Sequence, residues 1–260
     1  MKLFDAHCHL QDSRIFSDAE DVIFNAKLKG IIKIAVKSTT EQDWQRVGKL
    51  SRDFDSLNPS FGLHPWFLSL RSREWKDELR KYLLAYPKAG IGEIGIDPNT
   101  KGDFGVEITE QEEIFCNQLD LAKEFKRPVS IHCRTAWGRL IKILKEIGEL
   151  PAGMMIHCFG GSVETAKELL NLGAYISFSG TITRVNNKKV SEVVKIIPSD
   201  KILIETDAPD LLPFGLDDKI NSPENLIFVL KKAAEFRNEP LNLLAEQTFI
   251  NTCRFFNIVN

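Results

Sequence analysis

The stretch FDAHCHL at residues 4–10 places two of the chain's five histidines on either side of a cysteine. Alternate side chains of an extended strand share a face, so His7 and His9 point one way and Cys8 the other. Taken alone, the pair is either a set of metal ligands or part of a polar loop. His64, His132 and His157 each follow a short apolar run in the same manner. Two acids hold equivalent places, Glu93 in GIGEIGID and Asp207 in ILIETDAP. Imidazole and carboxylate suit borderline and hard divalent cations such as zinc, manganese or magnesium. Four histidines with two carboxylates exceed the needs of one catalytic ion with open positions. They suit two ions about 3.5–4 Å apart, with one carboxylate between them. Such a pair acidifies bound water and clamps an oxyanion, which serves hydrolysis.

Each residue also has a plainer reading. Asp207 fits a turn or helix cap ahead of Pro209, and His64 fits local loop structure as well as a polar group beside the ligands. Glu93 lies in a glycine-rich apolar run, where an unpaired carboxylate is costly, so a charged partner is expected. Glu205 shares a face with Asp207 but lies deeper, and is expected to be paired inside the fold.

What must position these residues is a recurring pattern of short apolar run and amphipathic stretch. Strands are predicted at residues 2–6, 31–36, 60–63, 89–94, 128–132, 153–157, 174–178 and 201–205. Helices are predicted at 111–125, 162–172, 222–236 and 241–257, among others. Eight strands alternating with helices predict a (β/α)8 TIM barrel of the metal-dependent hydrolase type, one domain over residues 1–260. An open doubly wound sheet competes, but it usually shows a glycine loop after its first strand, and FDAHCHLQD contains none. A barrel gathers the C-terminal strand ends on one face. Residues from the first, third, fourth, fifth, sixth and eighth strands then meet at one mouth.

Composition narrows the partners. The chain is 43% hydrophobic, carries a net charge of -2 and has a pI near 6.2. No global basic field draws it to nucleic acid or anionic lipid, so any such contact must be local. No apolar run is long enough for a signal sequence or a bilayer span, which predicts a cytoplasmic protein without membrane contact. A monomer is favoured. Five cysteines without CxxC spacing are expected to be reduced thiols.

DAHCHL, FGLHPW, GEIGID, EQEEIFCNQLDLAKEFKRPVSIHCR, MMIHCFGGSVETAKELL, GAYISFSGTIT and ILIETDAP follow one another from residue 5 to about residue 209. In these motifs and in their order the chain resembles the TatD-like metal-dependent DNases of the amidohydrolase superfamily. NSPENL at 221–226 continues the match more loosely. The resemblance implies a TIM barrel with two divalent ions. His7, His9 and Asp207 would hold one ion, His132 and His157 the other, and Glu93 would bridge them. His64 would contact substrate phosphate or metal-bound solvent. Asp207 would orient or deprotonate the attacking water. The implied reaction is phosphodiester hydrolysis of DNA, acting on single strands or 3′ ends.

The chain departs from the family in two loops. Members commonly carry a basic stretch ending in Arg-Asn-Glu-Pro after ETDAP. Here the stretch is LLPFGLDDKINSPENL, with Asp217, Asp218 and the single Lys219. Phosphate contacts supply much of the affinity for nucleic acid, so this loop weakens the case for DNA but not for hydrolysis. An ester, amide or lactone is the competing substrate class. A barrel with purely structural metals, or a binding protein, is the non-enzymatic reading. After GEIGID an aromatic-rich segment is replaced by PNTKGDFGVEIT, leaving Phe104 alone for base stacking. Positive charge is expected instead from Arg134, assigned to substrate binding, with Arg139, Arg184, Lys188 and Lys189. The lysines read equally as a solvated helix start. Trp66, Phe67 and Trp137 either grip bases or pack beneath loops.

Overall fold

The computed structural model describes residues 1–99, 105–185 and 187–258. Eight strands pair in parallel, each with the next: β1 (Leu3–Cys8), β2 (Ile31–Lys37), β3 (Leu57–Phe61), β4 (Gly90–Ile96), β5 (Val129–Cys133), β6 (Met154–Ile156), β7 (Tyr175–Phe178) and β8 (Ile202–Ile204). The helices are α1 (Ala19–Leu28), α2 (Trp44–Asp53), α3 (Trp75–Ala85), α4 (Ile108–Phe125), α5 (Trp137–Ile147), α6 (Val163–Asn171), α7 (Lys188–Ile196), α8 (Leu226–Arg237) and α9 (Leu241–Phe255). This is the expected (β/α)8 TIM barrel. No helix among the described residues is long and apolar enough to cross a membrane.

Isoleucine is the commonest strand residue, and the strands are buried on both faces, as a sheet covered by helices requires. The seam between β8 and β1 closes through the segment after β8. Asp207 N donates to His7 O at 3.0 Å and His9 N to Ala208 O at 2.7 Å. Below them the buried Asp5 carboxylate accepts from Thr206 N at 2.9 Å and from the Thr206 hydroxyl. Burial pushes this carboxyl up to about 7, against those hydrogen bonds. The opposite end of the barrel is filled by apolar side chains and plugged by the end of α9, where Phe256 stacks on Phe4 at 5.8 Å.

Helix α4 aims two buried amides at the mouth. Gln111 and Gln118 are seven residues apart and share one face. Gln118 takes Leu63 N at 2.8 Å and donates to Leu63 O at 3.2 Å. Gln111 does the same for Asp97, at 2.9 and 3.1 Å. The chain beside His64 and beyond Glu93 is thereby fixed to a rigid element.

The third strand differs from expectation. It runs Leu57–Phe61, ahead of the predicted 60–63, because Pro59 in LNPSF interrupts the strand pattern. His64 therefore stands beyond the strand, capping the 3-10 turn Pro65–Leu70. The predicted helix at 222–236 divides into a turn at Pro223–Asn225 and then α8. All five cysteines are free thiols.

Candidate metal centre

All five histidines, Glu93 and Asp207 converge at the C-terminal mouth. His7 lies in β1 and His9 just past it, and their Nε2 atoms are 3.2 Å apart. Cys8 faces away, its thiol 3.5 Å from Ala208 O, as strand alternation requires. His132 comes from β5 and His157 from just beyond β6, with Nδ1 and Nε2 also 3.2 Å apart.

Glu93 stands between the two pairs and gives one oxygen to each. Its Oε2 is 3.3 Å from His7 Nε2 and 3.2 Å from His9 Nε2. Its Oε1 is 2.8 Å from His157 Nε2, 3.0 Å from His132 Nδ1 and 3.3 Å from His64 Nε2. Asp207 Oδ1 joins the first pair, 3.3 Å from His9 Nε2 and 3.6 Å from His7 Nε2. Asp207 reaches there with a left-handed backbone, φ 57°, a conformation held at a cost and typical of functional sites.

The outer ring nitrogens explain how the inner ones are aimed. His9 Nδ1 donates to Lys37 O at 2.8 Å, His132 Nε2 to Asp97 Oδ2 at 3.1 Å, and His157 Nδ1 to Glu205 Oε1 at 3.2 Å. Carbonyls and carboxylates only accept, so these nitrogens carry hydrogen, and a neutral ring turns its lone pair inward. His7 Nδ1 meets Ser130 Oγ at 3.2 Å. His64 is arranged the other way. Its Nδ1 accepts from Trp66 N at 3.2 Å, so Nε2 bears the hydrogen, without making a hydrogen bond to Glu93. His64 is thus built as a donor, apart from the four other histidines.

This donor set fits divalent cations. Glu93 Oε1 and Asp207 Oδ1 are buried and lack a hydrogen-bond donor, a costly state unless a cation meets them. The facing His132 and His157 nitrogens, both lone-pair bearing when the rings are neutral, also call for a proton or cation between them. Ligand atoms gather within 4.8 Å of one another in the sets His7–His9–Asp207, His64–Glu93–His132 and His7–His157–Glu205. The local field favours such charge. Burial opposes ionisation of Glu93, yet His157, His64 and His7 hold it well below the usual carboxylate range. Burial likewise opposes protonation of His9 and His157, yet the facing carboxylates hold both well above the usual imidazole range. Burial pushes the Cys158 thiol up to about 11 and Cys133 up to about 12, so both are neutral thiols at neutral pH without a metal.

His64 makes a pH prediction. Burial, together with the neighbouring His132, lowers its pKa to about 4 despite Glu93. A depressed folded value means stability present above the unfolded pKa and lost as pH falls from about 6.5 through about 4. At about 1.4 kcal/mol per unit this amounts to about 3 kcal/mol. In chelator-treated protein the His64 Cε1 proton should show no NMR inflection between about pH 5 and 8. An inflection near pH 6.5 contradicts the buried, neutral assignment.

Glu205 is paired inside the barrel as expected, with Cys158 N at 2.6 Å and Ser177 Oγ at 2.6 Å besides His157. Arg134 is exposed in the loop after β5 and stands outside the ligand cluster. Arg139 is bound to Glu112 at 2.8 Å, while Arg184 and Lys188 are exposed. Trp137 packs on Phe159 at 5.0 Å, which favours its structural reading. Phe67 lies 5.9 Å from the His64 ring. Phe104 lies outside the described residues. Sequence reasoning missed Asp97, although GEIGID contains it. Its position four residues after Glu93 in an extended segment was the available signal.

A TIM barrel whose mouth gathers histidines and carboxylates in this way is suited to metal-dependent hydrolysis. The sequence profile of the TatD related DNase family matches residues 4–257, and the chain belongs to that family. An uncharacterized metal-dependent hydrolase of Bacillus subtilis, YabD, is 36% identical over 98% of this chain and 99% of its own length. A Citrobacter koseri relative named 3'-5' ssDNA/RNA exonuclease TatD is 32% identical over 98% of this chain and 99% of its own. The crystal structure of the Escherichia coli TatD homologue YjjV superposes with a TM-score of 0.92 at 32% identity, covering 99% of this chain and 98% of that one.

Proposed function

We propose that the protein is a two-metal phosphodiesterase, a deoxyribonuclease of the 3′ exonuclease type acting on single-stranded ends. The observation that carries this reading is the division of Glu93, one oxygen toward His7 and His9 and the other toward His132 and His157. His7, His9 and Asp207 would hold one divalent ion and His132 and His157 the second, with Glu93 shared. When bound, the ions supply positive charge that acidifies water and offsets the charge developing on phosphoryl oxygens. Asp207 orients the attacking water and takes its proton. His64, with hydrogen on Nε2, donates to a phosphate oxygen at the edge of the site. Arg134 grips a neighbouring phosphate. The Citrobacter koseri relative, by its name, supports nucleic acid as the substrate class.

The test is hydrolysis of an end-labelled single-stranded oligonucleotide with magnesium, manganese or zinc, beside a His132→Ala control. A ladder from one end, absent in the control, is expected. An intact oligonucleotide, with two ions measured on the protein, overturns the substrate. The second reading, hydrolysis of an ester, amide or lactone at the same site, is favoured by the exposed Asp217 and Asp218 in the loop after β8, and would then be assayed.

Arg134→Ala should raise KM for the oligonucleotide several-fold while kcat changes little. It should also reduce the slope of log KM against log salt by about 1, since one phosphate contact is lost. An unchanged slope removes Arg134 from the substrate track.

A further inference from the structure

The geometry around Asp97 assigns it a role beyond the cluster itself. We propose that Asp97 is a positioning residue that couples the hold of His132 on its cation to the seating of the Pro65–Leu70 turn. The inference rests on the reading of His132 as a metal ligand.

Asp97 is fully buried, just past β4. Its Oδ2 accepts from two donors, Trp66 Nε1 at 2.8 Å and His132 Nε2 at 3.1 Å. Its Oδ1 accepts from Asn99 N at 2.9 Å. Asn99 Nδ2 reaches on to Thr135 Oγ1 at 2.7 Å, in the loop that follows His132. The Asp97 backbone is held on both sides by Gln111 of α4. One carboxylate thus joins the loops after β3, β4 and β5.

The contacts also close a ring. Trp66 gives its amide hydrogen to His64 Nδ1 and its indole hydrogen to Asp97. Asp97 takes hydrogen from His132, and both His132 and His64 face Glu93 Oε1. An oxygen shared by two donors cannot follow one without loosening the other. Movement of the turn that carries Trp66 must therefore re-aim His132. Partners of this kind on a ligating imidazole govern metal affinity by about 10–100-fold. Coupling between binding sites is reciprocal, so a substrate that seats the turn tightens the cation, and the cation seats the turn. A purely structural Asp97 would anchor its loop without this link.

The experiment uses the full chain and zinc, titrated against a competing chelator. His132→Ala identifies the zinc affinity that depends on His132. Asp97→Asn keeps the size of the side chain and one acceptor oxygen, and its thermal melt in chelator checks the fold. Asp97→Asn is expected to weaken the same zinc affinity by about 10–100-fold. The Trp66 indole N–H cross-peak, assigned by its loss in Trp66→Phe, should shift on zinc addition in the natural protein and stay still in Asp97→Asn. Wild-type zinc affinity in Asp97→Asn, or an indole peak indifferent to zinc, overturns the coupling. Should His132→Ala itself bind zinc as tightly as the natural protein, the ligand reading falls and this inference with it. Loss in His132→Ala without loss in Asp97→Asn removes the coupling alone.

Discussion

Glu93→Gln is expected to cut turnover by about 10³-fold and to weaken the hold on at least one metal ion. The side chain is buried and its two oxygens face opposite histidine pairs. Glutamine has nearly the same shape, so packing in β4 should survive. In the proposed two-metal site it removes the negative charge that would offset the cations, and it points an amide at nitrogens that would otherwise share a ligand. Metal charge stabilisation is worth several kcal/mol in hydrolysis, and about 4 kcal/mol corresponds to about 10³ in rate. Metal content by elemental analysis and kcat at saturating metal check the effect together. Full turnover with both ions bound contradicts the assignment of Glu93.

Stripping metal with a chelator should abolish activity and lower Tm by on the order of 10 °C, both restored by zinc or manganese. Ions that bind only the folded chain stabilise it by about 4 kcal/mol at a thousandfold excess over Kd. For a chain of this size each kcal/mol moves Tm by about 2–4 °C. The structure explains why the stripped protein should be strained. Glu93 Oε1 and Asp207 Oδ1 are buried without donors, and the lone pairs of neutral His132 and His157 oppose each other at 3.2 Å. A scanning calorimetry trace unchanged by chelator, on protein first shown to contain metal, contradicts this account.

The barrel was legible because buried parallel strands leave continuous apolar runs, and because the clustered histidines and acids sit where those runs end. His7 and His9 were readable from alternation alone. The third strand was not, since Pro59 removes both a donor and the expected pattern while pairing persists around it. The supports of the site were harder still. His9 is aimed by a backbone carbonyl, Lys37 O, which any residue type supplies and no sequence advertises. Gln111 and Gln118 resemble surface residues of an amphipathic helix, yet both are buried against the mouth. The tautomer of His64 depends on Trp66 N, again a backbone group. Side-chain chemistry announces itself in sequence, whereas backbone partners appear only once the chain is folded.

The central claim is that Glu93 is shared by two cations, and anomalous diffraction from manganese-loaded crystals tests it most directly. Two peaks about 3.5–4 Å apart are predicted, one beside His7, His9 and Asp207 and the other beside His132 and His157, each touching one oxygen of Glu93. A single peak, or two peaks of which only one touches Glu93, contradicts it.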